Sequence, residues 1–84
     1  MKVYITNHAQ DRWNEYCSEV EISRLVYIVK RHLSAALRSG LEKKNGAFHV
    51  KINRKINAVI KFQDGQWKVI TFYLRDRKWE EVVG

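Results

Sequence analysis

The sequence contains no proline and one cysteine, and its nine acidic residues face sixteen Lys and Arg. A lone thiol, Cys17, excludes an internal disulfide framework and a thiolate metal cluster. No apolar stretch approaches the roughly 18 residues that would span a bilayer. The opening Met-Lys-Val-Tyr-Ile-Thr-Asn-His turns polar too early for a secretory hydrophobic region. HExxH, paired Cys/His, Gly-rich phosphate-loop, GxSxG and Ser-x-x-Lys patterns are all missing, as are repeats and low-complexity linkers. No metal and no cofactor is therefore expected. What is present is 84 residues, 45% of them hydrophobic, which is too apolar for a disordered chain. The length suits one domain over residues 1–84, with a net charge of +7 and an expected cytoplasmic setting.

Hydrophobic periodicity organises the chain. Lys2 to Thr6 alternates and reads as a strand. Asn7 is the expected cap of a helix from about 8 to 17, with Ala9, Trp13, Tyr16 and Cys17 on one face. A second helix begins either at a Ser18–Glu21 capping box or at Ser23 with Ile22 before it. Its stripe is Ile22, Leu25, Val26, Val29, Leu33, Ala36 and Leu37, and Gly40 ends it. Glu42 to Gly46 reads as a polar turn.

The period then becomes two. Phe48, Val50 and Ile52 form one strand, and Ile56, Ala58, Ile60 and Phe62 the next, joined by Asn53-Arg54-Lys55. Asp64-Gly65 predicts a tight hairpin. Gln66 to Leu74 is apolar on both faces, as expected for a covered central strand. Arg75 to Lys78 turns, and Trp79 to Val83 suits a short last strand. The expected fold is α+β, ordered β-α-α-β-β-β with a further β, an antiparallel meander with both helices on one face.

Two groups of polar residues suggest chemistry. His8 and Arg12 stand four apart and share a helix face, with Glu15 beyond them. An imidazole moves protons near neutral pH and a guanidinium grips phosphate, although the same pair also suits a solvated helix start. Thr71 and Tyr73 point from one face of the late strand, and Thr71 approaches His8 or Arg12 if that face lies over the first helix. Basic residues crowd the span from Lys43 to Lys78, against Asp64 and Asp76 alone. Lys51, Arg54, Lys55 and Arg75 are the candidate nucleic-acid contacts, with solubility as the plainer use of the same charge. Lys51 shares its outward face with His49 and Asn53. His32 and His49 lack partners at metal-ligand spacing, and Trp13, Trp67 and Trp79 read as packing. Arg24, Arg31 and Arg38 recur every seventh residue along the second helix, as a solvated back or a face for an acidic partner.

The opening strand, the run His8-Ala9-Gln10-Asp11-Arg12, a second helix and antiparallel strands together resemble the RelE/ParE-like toxin superfamily. Within it, the chain is most similar to small bacterial and phage domains with a His-Ala-x-x-Arg opening. The resemblance implies an RNA-binding sheet and, where catalysis is retained, a metal-independent endoribonuclease. It assigns His8 and Arg12 to acid–base work and phosphate contact, Thr71 to the late strand's part of the site, and Lys51 and Arg54 to phosphate. Many members end in a strand bearing a catalytic Tyr, His or Arg, whereas Trp79 to Gly84 supplies none. The alternative reading is a non-catalytic module of the same fold that binds an acidic, antitoxin-like protein.

Overall fold

Val3–Ile5 forms β1, with Val3 and Ile5 turned inward and Tyr4 exposed. The structure, a computed structural model, describes residues 1–75. The expected last strand at Trp79 to Val83, and the packing of Trp79, lie outside the described residues.

Helix α1 spans Asn7–Tyr16 and is capped by Thr6 rather than by Asn7. Thr6 is extended (φ −67°, ψ 158°), which aims its hydroxyl at the Ala9 N–H, 3.1 Å away. Starting the helix there turns Ala9 and Trp13 into the core. Helix α2 spans Ile22–Ser39, and neither predicted serine caps it. Its cap is Glu21, which makes no side-chain capping bond, while Leu25, Val29 and Leu33 are fully buried. Burial of that stripe, worth about 1.5–3 kcal/mol per large aliphatic side chain, outweighs a missing cap worth about 1 kcal/mol. Gly40 ends the helix at φ 108°, its N–H donating to the Ala36 carbonyl at 2.8 Å.

Glu42–Lys44, expected as part of a turn, is instead a strand, β2, with three exposed side chains. It pairs antiparallel with β3 (Ala47–Lys51) across Asn45-Gly46, whose φ values of 53° and 79° close a tight hairpin. An edge strand needs only backbone pairing, and its charges discourage further strand addition. β4 is Ile56–Gln63 and β5 is Gln66–Leu74, joined through Asp64-Gly65 as expected. Between β3 and β4, Asn53 Oδ1 accepts from the Lys55 and Ile56 N–H groups at 2.9 Å each.

The sheet order is β1-β5-β4-β3-β2. β1 runs parallel to β5, so the sheet is mixed rather than a pure antiparallel meander. The reason is connectivity: two helices carry the chain back across the sheet, and β4 already occupies the other side of β5. Both helices pack on one face, over a core of Ile5, Leu33, Val50, Ile60, Val69 and Phe72 among others. Trp13 meets Phe72 edge-on at 5.2 Å. Among the described residues no helix is long and apolar enough to cross a membrane.

β5 contains a bulge. Ile60 pairs with Val69, but Val59 pairs with Thr71, leaving Ile70 as an extra residue. The insertion reverses the alternation, so Val69 and Phe72, three apart, are both buried at 0% and 1% exposure. The apolar run on both sides of β5 therefore records a change of phase, not two covered faces. Gln66, Lys68, Thr71 and Tyr73 occupy the face away from the helices.

Candidate functional site

The face of the sheet opposite the helices gathers polar residues at one end. Alternation in β3 turns Val50 to the core and His49 and Lys51 outward. In β4 it turns Ile56 and Ala58 inward and Asn57 outward, opposite Lys51 on one side and Tyr73 on the other. His49 Nδ1 lies 2.9 Å from Tyr73 Oη, with the two rings edge to face at 5.7 Å. Which of them donates depends on the imidazole tautomer: a neutral ring protonated at Nε2 accepts, and an imidazolium donates. An imidazole and a phenol in direct contact are two groups able to exchange a proton with a substrate.

Asn57 holds this pair in place. It is 9% exposed, and both ends of its amide are used. Nδ2 donates to Tyr73 Oη at 2.9 Å, and Oδ1 accepts from Arg75 Nη1 at 2.6 Å. Arg75 also donates to the Ile56 carbonyl through Nη1 at 3.0 Å and to the Asn53 carbonyl through Nη2 at 2.6 Å. The expected nucleic-acid contact Arg75 thus directs its guanidinium at protein oxygens and braces the β3–β4 turn against the end of β5. Its charge remains beside Asn57, and a buried network with matched donors and acceptors fixes one geometry.

The other basic candidates stand at the same end. Lys51 is exposed beside Asn57, and Arg54 and Lys55 are exposed on the adjacent turn. β2 adds Glu42, opposite His49 in the register. The open face therefore brings together the imidazole–phenol pair, a buried amide and four cations.

His8, Arg12 and Thr71 are not brought together. His8 is exposed on α1. Arg12 Nη1 pairs with Glu15 Oε2 at 2.7 Å, and this hydrogen bond, followed by the charge of Glu15, raises the guanidinium pKa above its ordinary value. Thr71 projects from the open face, in the cross-strand row of Val59 and His49, so the sheet separates it from α1. The expected approach of Thr71 to the helix fails because Phe72 is the residue that β5 presents to α1.

In the sequence, alternation sets His49 beside Lys51 and Tyr73 beside Thr71, and nothing local connects the two pairs. The Asp64-Gly65 turn sets Phe62 opposite Trp67, and unbroken pairing from there brings Asn57 to Phe72, on the wrong face. The signal for the true register is the shift of apolar phase between Val69 and Phe72.

No protein-family model and no curated protein sequence matches this chain. Solved structures do. A copper-bound mutant toxin from Helicobacter pylori is similar with TM-score 0.57 and 10% identity, over 92% of this chain and 97% of that one. The YoeB–YefM toxin–antitoxin heterotetramer from Staphylococcus aureus matches with TM-score 0.54 and 15% identity, over 89% and 97%. A YafQ mutant from E. coli matches with TM-score 0.53 and 7% identity, over 93% and 97%. Over nearly the whole of each chain these likenesses agree, and the chain has the fold of these toxins, the fold that the resemblance to RelE/ParE-like toxins implies.

Proposed function

We propose that this protein is a toxin-like RNA-binding domain of the cytoplasm whose open sheet face cleaves RNA. The observation that carries the reading is the His49–Tyr73 pair, fixed by Asn57 at the basic end of that face. Cleavage of RNA needs a base to take the proton from a ribose 2′-hydroxyl, whose oxygen then attacks phosphorus. It needs an acid to return a proton to the departing 5′-oxygen, and cations to offset the charge that develops on the phosphoryl oxygens. His49 and Tyr73 fill the proton-transfer roles, and Lys51, Arg54 and Lys55 face the phosphates. Thr71, in the same row as His49, lies where a hydroxyl contacts the ribose or phosphate next to the scissile bond. His8 and Arg12, on the helix side, are left to phosphate contact away from that bond.

The test is incubation of purified protein with mixed RNA in EDTA. His49→Ala and Tyr73→Phe each lower cleavage at least a hundredfold, the lower range of acid–base contributions being about 10²-fold, and His8→Ala leaves it near wild type. Cleavage lost with His8→Ala but kept with His49→Ala returns the chemistry to α1. No cleavage by the wild type removes the enzymatic reading.

A second reading has its own observation. Arg24, Arg31 and Arg38 are exposed along α2, with Tyr27 among them at 61% exposure. Tyrosine and arginine together favour a protein interface. The similar YoeB of Staphylococcus aureus occurs in a complex with the antitoxin YefM. In this reading the stripe binds an acidic, antitoxin-like protein, and co-purification of such a partner is abolished by Arg31→Glu. An unchanged complex counts against it.

A further inference from the structure

On the open face, the row next to His49 and Val59 is made of lysines that the reading above does not use. Lys44 on β2 is opposite Ala47 on β3, and Lys61 on β4 is opposite Lys68 on β5. The β3–β4 register that pairs Phe48 with Ile60 sets Ala47 beside Lys61, so the row is continuous. β1, the outer strand on that side, completes it with Tyr4 opposite Lys68. Val3 and Ile5 turn inward, so Tyr4 faces out with these lysines and is 50% exposed. The Lys68 ammonium stands over the Tyr4 ring, 6.0 Å from its centroid.

This arrangement costs the sheet stability. Lys61 and Lys68 are like charges directly across from each other, a pairing that disfavours the strands that carry it. Among the described residues the one ion pair is Arg12–Glu15, on α1, so no carboxylate neutralises the row. Ala47 is small, and nothing on β3 rises between Lys44 and Lys61. Lysines scattered singly serve solubility; three in one row, ending in an exposed ring, suit a chain of phosphates that carries flat bases. Positively charged tracks bordered by aromatic rings hold single-stranded nucleic acid, the cations taking the backbone and the ring a base.

We infer that Lys44, Lys61 and Lys68 hold phosphates of an RNA strand away from the scissile bond, and that Tyr4 stacks one of its unpaired bases. The inference rests on the reading of the open face as an RNA surface. Lys61 is four residues from Asn57 along β4, about 13 Å at the strand rise, so the row meets nucleotides outside the reacting pair. The RNA then runs along the open face from Lys51 and Arg54 at one end to the lysine row at the other.

The test uses two ligands of equal length, a 2′-O-methyl oligoadenylate and its abasic counterpart, with binding read by fluorescence anisotropy. Neither has a 2′-hydroxyl, so neither is cleaved. Wild type binds the base-bearing strand about tenfold more tightly, as one stacked base supplies. Tyr4→Val, which retains a good strand former, removes that preference without weakening the abasic strand, and Tyr4→Phe keeps it. Lys61→Ala with Lys68→Ala weakens both strands alike and lowers the slope of log affinity against log salt by about 1.4, at ~0.7 per phosphate contact. The denaturant midpoint of that variant holds or rises because the opposed charges are gone, which separates lost binding from lost folding. Unchanged affinity in the lysine variant, a wild type without preference, or a preference that survives Tyr4→Val overturns the subsite. If Lys51→Ala with Arg54→Ala weakens binding in the same assay, the RNA face itself stands. Wild type that binds neither strand overturns both. A lysine variant that keeps RNA but loses a polyglutamate peptide also overturns the subsite, and gives the row to an acidic protein.

Discussion

Thr6 Oγ1 donates to the carbonyl of Ile70, the extra residue of the β5 bulge, at 3.1 Å. The same hydroxyl oxygen accepts from Ala9 N–H at the start of α1. One side chain thus caps a helix and satisfies the irregular point of a strand. Thr6→Val keeps the shape and removes both bonds. It should cost about 1–2 kcal/mol, a cap and a hydrogen bond together, read as a lower denaturant midpoint with an unchanged slope.

Asn57 is the only buried polar residue of the described core and joins Tyr73 to Arg75. Asn57→Ala leaves the Arg75 guanidinium and the Tyr73 hydroxyl each without one partner. The expected loss is about 1–3 kcal/mol of stability. RNA cleavage should fall more than folding does, because Tyr73 loses the amide that orients it. Comparing activity with circular dichroism at the assay temperature separates the two effects.

Gly65 sits at φ 75° in the β4–β5 hairpin, where a side chain is strained even though nothing crowds it. Gly65→Ala is expected to lower stability by about 1–2 kcal/mol, the cost of a left-handed L-residue. Its thermal midpoint should drop while RNA affinity at low temperature stays unchanged.

On the proposed reading RNA affinity falls steeply with salt, since Lys51, Arg54 and Lys55 are exposed and phosphate contacts made by such residues displace counterions. Replacing Lys51 and Arg54 with Ala should flatten the slope of log affinity against log salt by about 1.4, at ~0.7 per phosphate contact on a single strand. An unchanged slope places the phosphates elsewhere.

The helices were legible where burial alone decides them. Leu25, Val29 and Leu33 announce α2 at a spacing that no strand shares, and Gly40 marks its end. Caps were less so: Thr6 and Asn7 are equally able acceptors, and only the packing of Ala9 and Trp13 chooses between them. β2 was hidden because Glu42, Lys43 and Lys44 bury nothing, and the hairpin forms through Asn45-Gly46 and backbone pairing. The parallel partner of β1 is a property of the whole topology that no local pattern carries. The site suffered most from one inserted residue. Ile70 reverses the faces of β5, and with them the pairing that brings Tyr73 to Asn57 and His49.

The parallel pairing of β1 with β5 also sets an order of assembly. The bond from Thr6 to Ile70 spans 64 residues, whereas the three hairpins from β2 to β5 close over short turns. Loop-closure entropy favours the short turns first, so β1 docks last. During synthesis β1 is made first and waits, unpaired, for the strand that also carries Tyr73. An unfinished chain holds His49 without its phenol, and the cleavage we propose is withheld until β5 has left the ribosome.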